Sequence, residues 1–288
     1  MTERTPPSLP PTALQPAPCR ILVVEDSPLN QMLVTAILAQ AGHRADTANN
    51  GLEAVMAAQA GGYDLILMDL SMPEMDGLTA TRLLRDLPGP AGRVPVVAMT
   101  ADTEEADRIR CQDAGMNDHV AKPVDRALLL ETVEKWLRAS LCSGPPTSPS
   151  VGFGPRAAAA PEAAGEVLDC EVLAQLAQDL EADLLADVLR QFVEETRERV
   201  ARIMAEADRA VLTREAHTLK STAGTFGAHA LYCAARALEM ACRASSAEPD
   251  SAETGERGAA DAVERLRRDI PRLAEDAIAA YRAAGYPV

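Results

Sequence analysis

The chain has 288 residues, a formal charge of −15, 47% hydrophobic residues and only 3% aromatics, so it is long enough for two domains whose cores are built from Leu, Val, Ile, Met and Ala. That acidic balance excludes a nucleic-acid or anionic-membrane surface, because phosphate groups reward Lys and Arg. No apolar run approaches the ~20 residues needed to cross a bilayer, which excludes direct membrane insertion, and six dispersed cysteines without a C-x-x-C pair predict reduced thiols in a cytoplasmic setting.

Residues 1–18 carry repeated prolines, from Pro6 to Pro18, and predict a disordered tail or the stub of a linker. Ile21-Leu22-Val23-Val24 predicts a buried strand that ends in Glu25-Asp26. A helical pattern follows from Pro28 to Ala41, closed by Gly42 where a left-handed residue is needed, with His43 beyond it in a capping or surface role. Further strands are predicted at Arg44–Ala48, Leu65–Met68, Val94–Met99 and Asp118–Ala121, with helices between them and a last helix from Asp125 to about Ser140. Five strands alternating with five helices over residues 19–140 predict an α/β doubly wound, five-stranded parallel sheet.

A second stretch rich in Pro, Gly and Ala covers residues 141–165 and predicts a flexible linker. Residues 166–288 show no strand-like alternation. Leu176, Leu180, Leu184, Leu185, Val188, Leu189 and Phe192 recur at helical spacing, as do Leu212, Ala216, Leu219, Ala223 and Phe226, and then Val263, Leu266 and Ile270. This region is predicted to be an α-helical bundle.

Ligands of parallel sheets sit beyond the carboxyl ends of the strands. Glu25 and Asp26 follow the first strand there, and Asp69 follows the Leu65–Met68 strand. Carboxylates gathered in this way repel one another unless a cation lies among them, and an all-oxygen set suits Mg²⁺. Such a site brings a phosphoryl group to one carboxylate. Thr100 follows the Val94–Met99 strand and offers a hydroxyl for a phosphoryl oxygen, Lys122 follows the last strand and offers an ammonium, and Pro123 is placed for a cis peptide bond.

The pattern Glu25-Asp26, Asp69-Leu70-Ser71-Met72-Pro73-Glu74-Met75-Asp76-Gly77, Thr100-Ala101 and Lys122-Pro123 resembles the receiver domain of two-component signalling. The resemblance implies a flavodoxin-like strand order 2-1-3-4-5, with Asp69 as phosphoacceptor. It further implies Mg²⁺ held by Glu25, Asp26, Asp69 and the backbone carbonyl of Ser71, and Thr100 and Lys122 on the phosphoryl group. One departure is His119, which stands three residues before Lys122 where receivers usually place the Tyr or Phe that rotates with Thr.

In the second half, His217 lies off the apolar stripe, on the face of Thr213, Lys220, Ser221 and Gly224, and predicts an exposed imidazole with a cation one turn on. Ala216-His217-Thr218-Leu219-Lys220-Ser221 resembles the signature of histidine phosphotransfer (HPt) domains, four-helix bundles with an exposed phosphoacceptor His. The resemblance makes His217 the phosphoacceptor, with Lys220 to offset the phosphoryl charge; His229 is a bystander at the start of the next helix. The family commonly has Gly where Ser221 stands.

Together the two halves predict a phosphorelay protein without an ATP-binding kinase domain. A sensor histidine kinase charges Asp69, and the group passes through His217 to a downstream receiver, or in reverse. A linker of about 25 residues spans roughly 25–30 Å, which leaves internal docking open. The rivals are a receiver joined to a helical adaptor or dimerisation module, and the C-terminal fragment of a hybrid sensor kinase. An aspartyl-phosphate hydrolase is disfavoured because Leu70 and Ser71 follow Asp69, with no second Asp to act as general acid.

Overall fold

A computed structural model describes residues 18–100, 105–142, 167–244 and 253–288. The expected tail up to residue 17, the linker from 143 onward and Ala101 lie outside the described residues.

The first half is a five-stranded sheet in the order β2-β1-β3-β4-β5, with every pair parallel. Its strands are β1 (Arg20–Val24), β2 (Arg44–Ala48), β3 (Leu65–Asp69), β4 (Val96–Thr100) and β5 (Asp118–Ala121). The apolar runs that form β1, β3 and β4 occupy the centre, where helices cover both faces and no polar alternation is tolerated. The polar β2 takes an edge and pairs Asp46 with Arg20 of β1 at 2.7 Å. Strand β4 begins two residues later than expected. Pro95 has no N–H for the ladder, and Val94 instead closes the 3-10 turn Ala91–Arg93 and gives its carbonyl to Arg85.

Helix α1 (Pro28–Gln40) starts at Ser27, whose hydroxyl accepts from the Asn30 N–H, and ends at Gly42 with φ +85°. The His43 N–H caps Leu38, but its side chain is buried rather than on the surface, because the chain turns back under α1 to enter β2. The remaining helices of this half are α2 (Gly51–Ala60), α3 (Gly77–Arg85), α4 (Glu105–Asp113) and α5 (Arg126–Cys142). The last of these runs into the segment expected to be linker. The Lys122–Pro123 peptide bond is cis.

The second half contains a short helix, α6 (Cys170–Asp179), ahead of four longer ones: α7 (Ala182–Ala205), α8 (Arg209–Thr225), α9 (His229–Ala244) and α10 (Glu253–Ala283). Leu185, Val188, Leu189 and Phe192 of α7 meet Leu212, Ala216, Leu219 and Ala223 of α8 in the bundle core. Phe226 and Tyr281 stack against Phe192, with ring centres 5.2 and 6.0 Å away, and the Tyr281 hydroxyl donates to the Phe226 carbonyl.

The two halves pack on each other. Helix α1 lies across α7 and α8, and buried residues of both halves belong to one apolar cluster. Polar bridges cross the seam: Ser27 Oγ donates to Glu195 Oε1 at 3.4 Å, Asn30 Nδ2 to Ser221 Oγ at 3.4 Å, and Arg126 Nη1 lies 3.5 Å from Asp179 Oδ1.

Candidate functional site

Parallel register sets the receiver half of the site. Val24 pairs with Met68, Asp69 with Met99, and Thr100 with Ala121, so four strands end at one level. Glu25, Asp26, Asp69, Thr100 and Lys122 are thereby brought together, although they are spread over almost a hundred residues of sequence.

The oxygens of Glu25, Asp26 and Asp69 lie within 4.8 Å of one another. Lys122 Nζ sits between Glu25 Oε2 at 2.6 Å and Asp69 Oδ2 at 2.8 Å. Asn30 Nδ2 donates to Glu25 Oε1 at 2.9 Å, and the Ser71 N–H donates to Asp69 Oδ1 at 3.2 Å. Burial, and beyond it the neighbouring Asp69 and Asp26, push Glu25 up to about 7 against the pull of Lys122. Burial and Asp69 likewise push Asp26 up to about 6, opposed by Lys122, Arg199 and His217. Burial alone would lower the Lys122 ammonium, but Asp69 and Glu25 outweigh it and hold it above its ordinary value.

This cluster has the chemistry of a divalent-cation site. Three carboxylates face one ammonium, a negative excess that a hard cation with oxygen preference offsets. Gly77 lets α3 start against it. A methyl there would come 2.1 Å from the Asp69 carbonyl oxygen, which no side chain tolerates.

The bundle contributes His217. Of the expected face, Ser221 meets the receiver, accepting from Asn30 Nδ2 at 3.4 Å, whereas Lys220 reaches into the bundle. The expected exposure is not found. His217 is 7% exposed, because the receiver packs over α8 and α9 closes from the other side. Its Nδ1 is 2.7 Å from Glu239 Oε1 of α9, and the same carboxylate takes Lys220 Nζ at 2.8 Å and Arg243 Nη2 at 2.6 Å. Burial would raise Glu239, but hydrogen bonds and charge from His217 and Lys220 outweigh it and pull the carboxyl down to about 2.

Sequence reasoning missed Glu239. Its signal was present: the residue lies four after Ala235 on the apolar side of α9, beside Leu238 and Cys242, where an acid needs a buried partner.

Asp69, Thr100 and His217 line one chamber of about 540 Å³ at the seam, with Arg110, Arg214 and Arg243 also on its walls. His119 is half-buried on β5 beside Asp118, where burial lowers its pKa against the pull of that carboxylate. His229 opens α9, with Nε2 3.6 Å from Cys233 Sγ. No helix among the described residues is long and apolar enough to cross a membrane.

Comparison with known proteins divides the chain in the same two parts. Residues 21–134 match the response regulator receiver domain, and residues 187–276 match the Hpt domain. The sensor histidine kinase GacS of Pseudomonas protegens is 30% identical over 265 residues, covering 90% of this chain and 27% of that protein. The histidine-protein kinase BarA of Escherichia coli is 28% identical over 236 residues, covering 80% of this chain and 24% of that protein. A receiver domain of a Pseudomonas aeruginosa sensor histidine kinase, solved with magnesium in its cleft, is 42% identical, covering 42% of this chain and 99% of that one at a TM-score of 0.40.

The chain belongs to the receiver and Hpt families of two-component signalling, one domain of each joined in sequence. Receiver and Hpt domains are the two domain types of phosphorelay signalling; the chain spans about a quarter of the length of the histidine kinases GacS and BarA, and neither domain matched in it is a kinase domain.

Proposed function

We propose that Asp69 and His217 exchange a phosphoryl group within one chain. The observation that carries this is the shared chamber, which both side chains line at the seam. An adaptor bundle would have no need of a histidine in that position.

The chemistry follows from the His217 hydrogen bond. An ionised Glu239 only accepts, so the proton of the neutral imidazole stays on Nδ1, and Nε2 carries the lone pair. In transfer to His217, the Nε2–P bond forms as the Oδ–P bond of phospho-Asp69 breaks, and that electron pair returns to the Asp69 carboxylate. No proton moves. The ring becomes cationic beside Glu239, whose negative charge is already ordered by Lys220 and Arg243.

Glu25, Asp26, Asp69 and the Ser71 carbonyl would hold Mg²⁺, which neutralises charge on the phosphoryl oxygens. Thr100 and Lys122 bind the group from the receiver side. A histidine kinase supplies it upstream and a separate receiver takes it downstream. A cytoplasmic setting accords with this chemistry and with the thiols of Cys111, Cys170 and Cys233.

The test is labelling with a small acyl phosphate and Mg²⁺, comparing the wild type with Asp69→Ala and His217→Ala. Base-stable label on His217 that requires Asp69 is the expected result. Label that stays on Asp69 alone would refute in-chain exchange.

A further inference from the structure

We infer that Arg126 and Asp179 form a selectivity pair that matches the bundle to this chain's own receiver. The inference builds on the in-chain exchange proposed above. Arg126 opens α5 just after the Lys122–Pro123 loop, and Asp179 is the last residue of α6. Their side chains meet across the seam at 3.5 Å, with Asp179 10% and Arg126 31% exposed.

Two features separate this contact from the rest of the seam. Asp179 is preset from the bundle side, since Gln175 Nε2 donates to both of its carboxylate oxygens at 3.1 Å. The carboxylate therefore stands ready before a receiver arrives. In addition, α6 lies ahead of the Hpt match, which begins at residue 187, whereas His217, Lys220 and Ser221 fall inside it. Any receiver that docks on α8 meets the shared part of the surface. A receiver without a cation at the start of its last helix leaves Asp179 half-desolvated with no counter-charge, which disfavours it.

The contact also bears on positioning. Arg126 anchors the start of α5, and the loop before it places Pro123 Cδ 3.9 Å from where a methyl on Gly224 would stand. Holding Arg126 therefore holds the loop that delivers Lys122 to Asp69. Neither Arg126 nor Asp179 touches the reacting atoms; they select and position.

Charge exchange tests the pair in the 288-residue chain labelled with a small acyl phosphate and Mg²⁺. Arg126→Asp and Asp179→Arg should each slow base-stable labelling of His217 by about five- to tenfold at low ionic strength, because reversal adds repulsion to a lost attraction. The double exchange should return the rate to within about twofold, and high salt should compress the differences. A second arm runs in trans, with a His217→Ala chain as phosphoryl donor and an Asp69→Ala, Asp179→Arg chain as acceptor. Adding Arg126→Asp to the donor should speed that transfer. Single variants that match the wild type, or a double variant as slow as either single one, overturn the pair. A wild type that places no label on His217 would instead sink in-chain exchange, and the trans arm would then decide the pair alone. Arg126→Gln and Asp179→Asn, near in shape to the originals, replace any reversal that fails to fold.

Discussion

Glu239 is the residue on which the bundle site turns. It is buried and takes three cationic or donor groups, so removing its charge takes a counter-ion from Lys220 and the negative partner from the imidazole. Glu239→Gln keeps the shape and the acceptor but loses the charge. We expect transfer to His217 to slow about tenfold, and stability to fall by on the order of 1–3 kcal/mol. Labelling time courses and urea unfolding check the two, and an unchanged rate would mean that Glu239 only packs. In the acidic cluster of the receiver, Glu25 at about 7 and Asp26 at about 6 lie above their ordinary values. The folded state without metal therefore binds more protons than the unfolded chain, so its stability is present at low pH and declines as pH rises through about 4 to 7. In EDTA the Tm should fall between pH 5.5 and 7.5 on this account, and Mg²⁺ should restore more at the upper end, where protons no longer compete for its ligands. Calorimetry at the two pH values, with and without Mg²⁺, checks this, and a metal effect equal at both would contradict it.

At the scale of elements, the strand ends were legible because each apolar run stops at a charged or hydroxyl residue, and β3 stopping at Asp69 is the plainest case. Parallel pairing then did the rest. Of the helix starts in the receiver only those near Pro28 and Asp125 were placed from sequence, although Ser27, Asn50 and Asp76 each accept from an N–H in the first turn. What could not be read were partners set by packing between distant elements. Nothing local to Glu239 points to His217, and Asp179 at the end of α6 gives no hint of Arg126 on the other domain. The burial of His217 is likewise a product of α1 lying on α8, which no periodicity within α8 encodes. Gly77 is a sharper case, since its place in the motif is visible while its reason is the Asp69 carbonyl. Gly77→Ala should cost on the order of 1–3 kcal/mol by forcing α3 off β3, measurable as a lowered urea midpoint. An unchanged midpoint would show that α3 can shift freely.

For the whole molecule, in-chain exchange predicts kinetics as well as sites. Labelling of His217 from phospho-Asp69 should be first order and independent of protein concentration, because a tether of this length holds the partners at an effective concentration on the order of millimolar. Dilution over a hundredfold range is the check, and a rate that falls with dilution would place the donor on another molecule. The seam has one more implication, which concerns timing. His217 lies beneath its own receiver, so under the proposed relay a downstream regulator would reach it only when the two halves part. The interval between charging and delivery would then be set by how long that contact lasts rather than by how often partners collide. On that reading the seam would impose a lag on the output, and a variant that loosens it, at Ser27 or Asn30, would shorten the lag without changing the charging step.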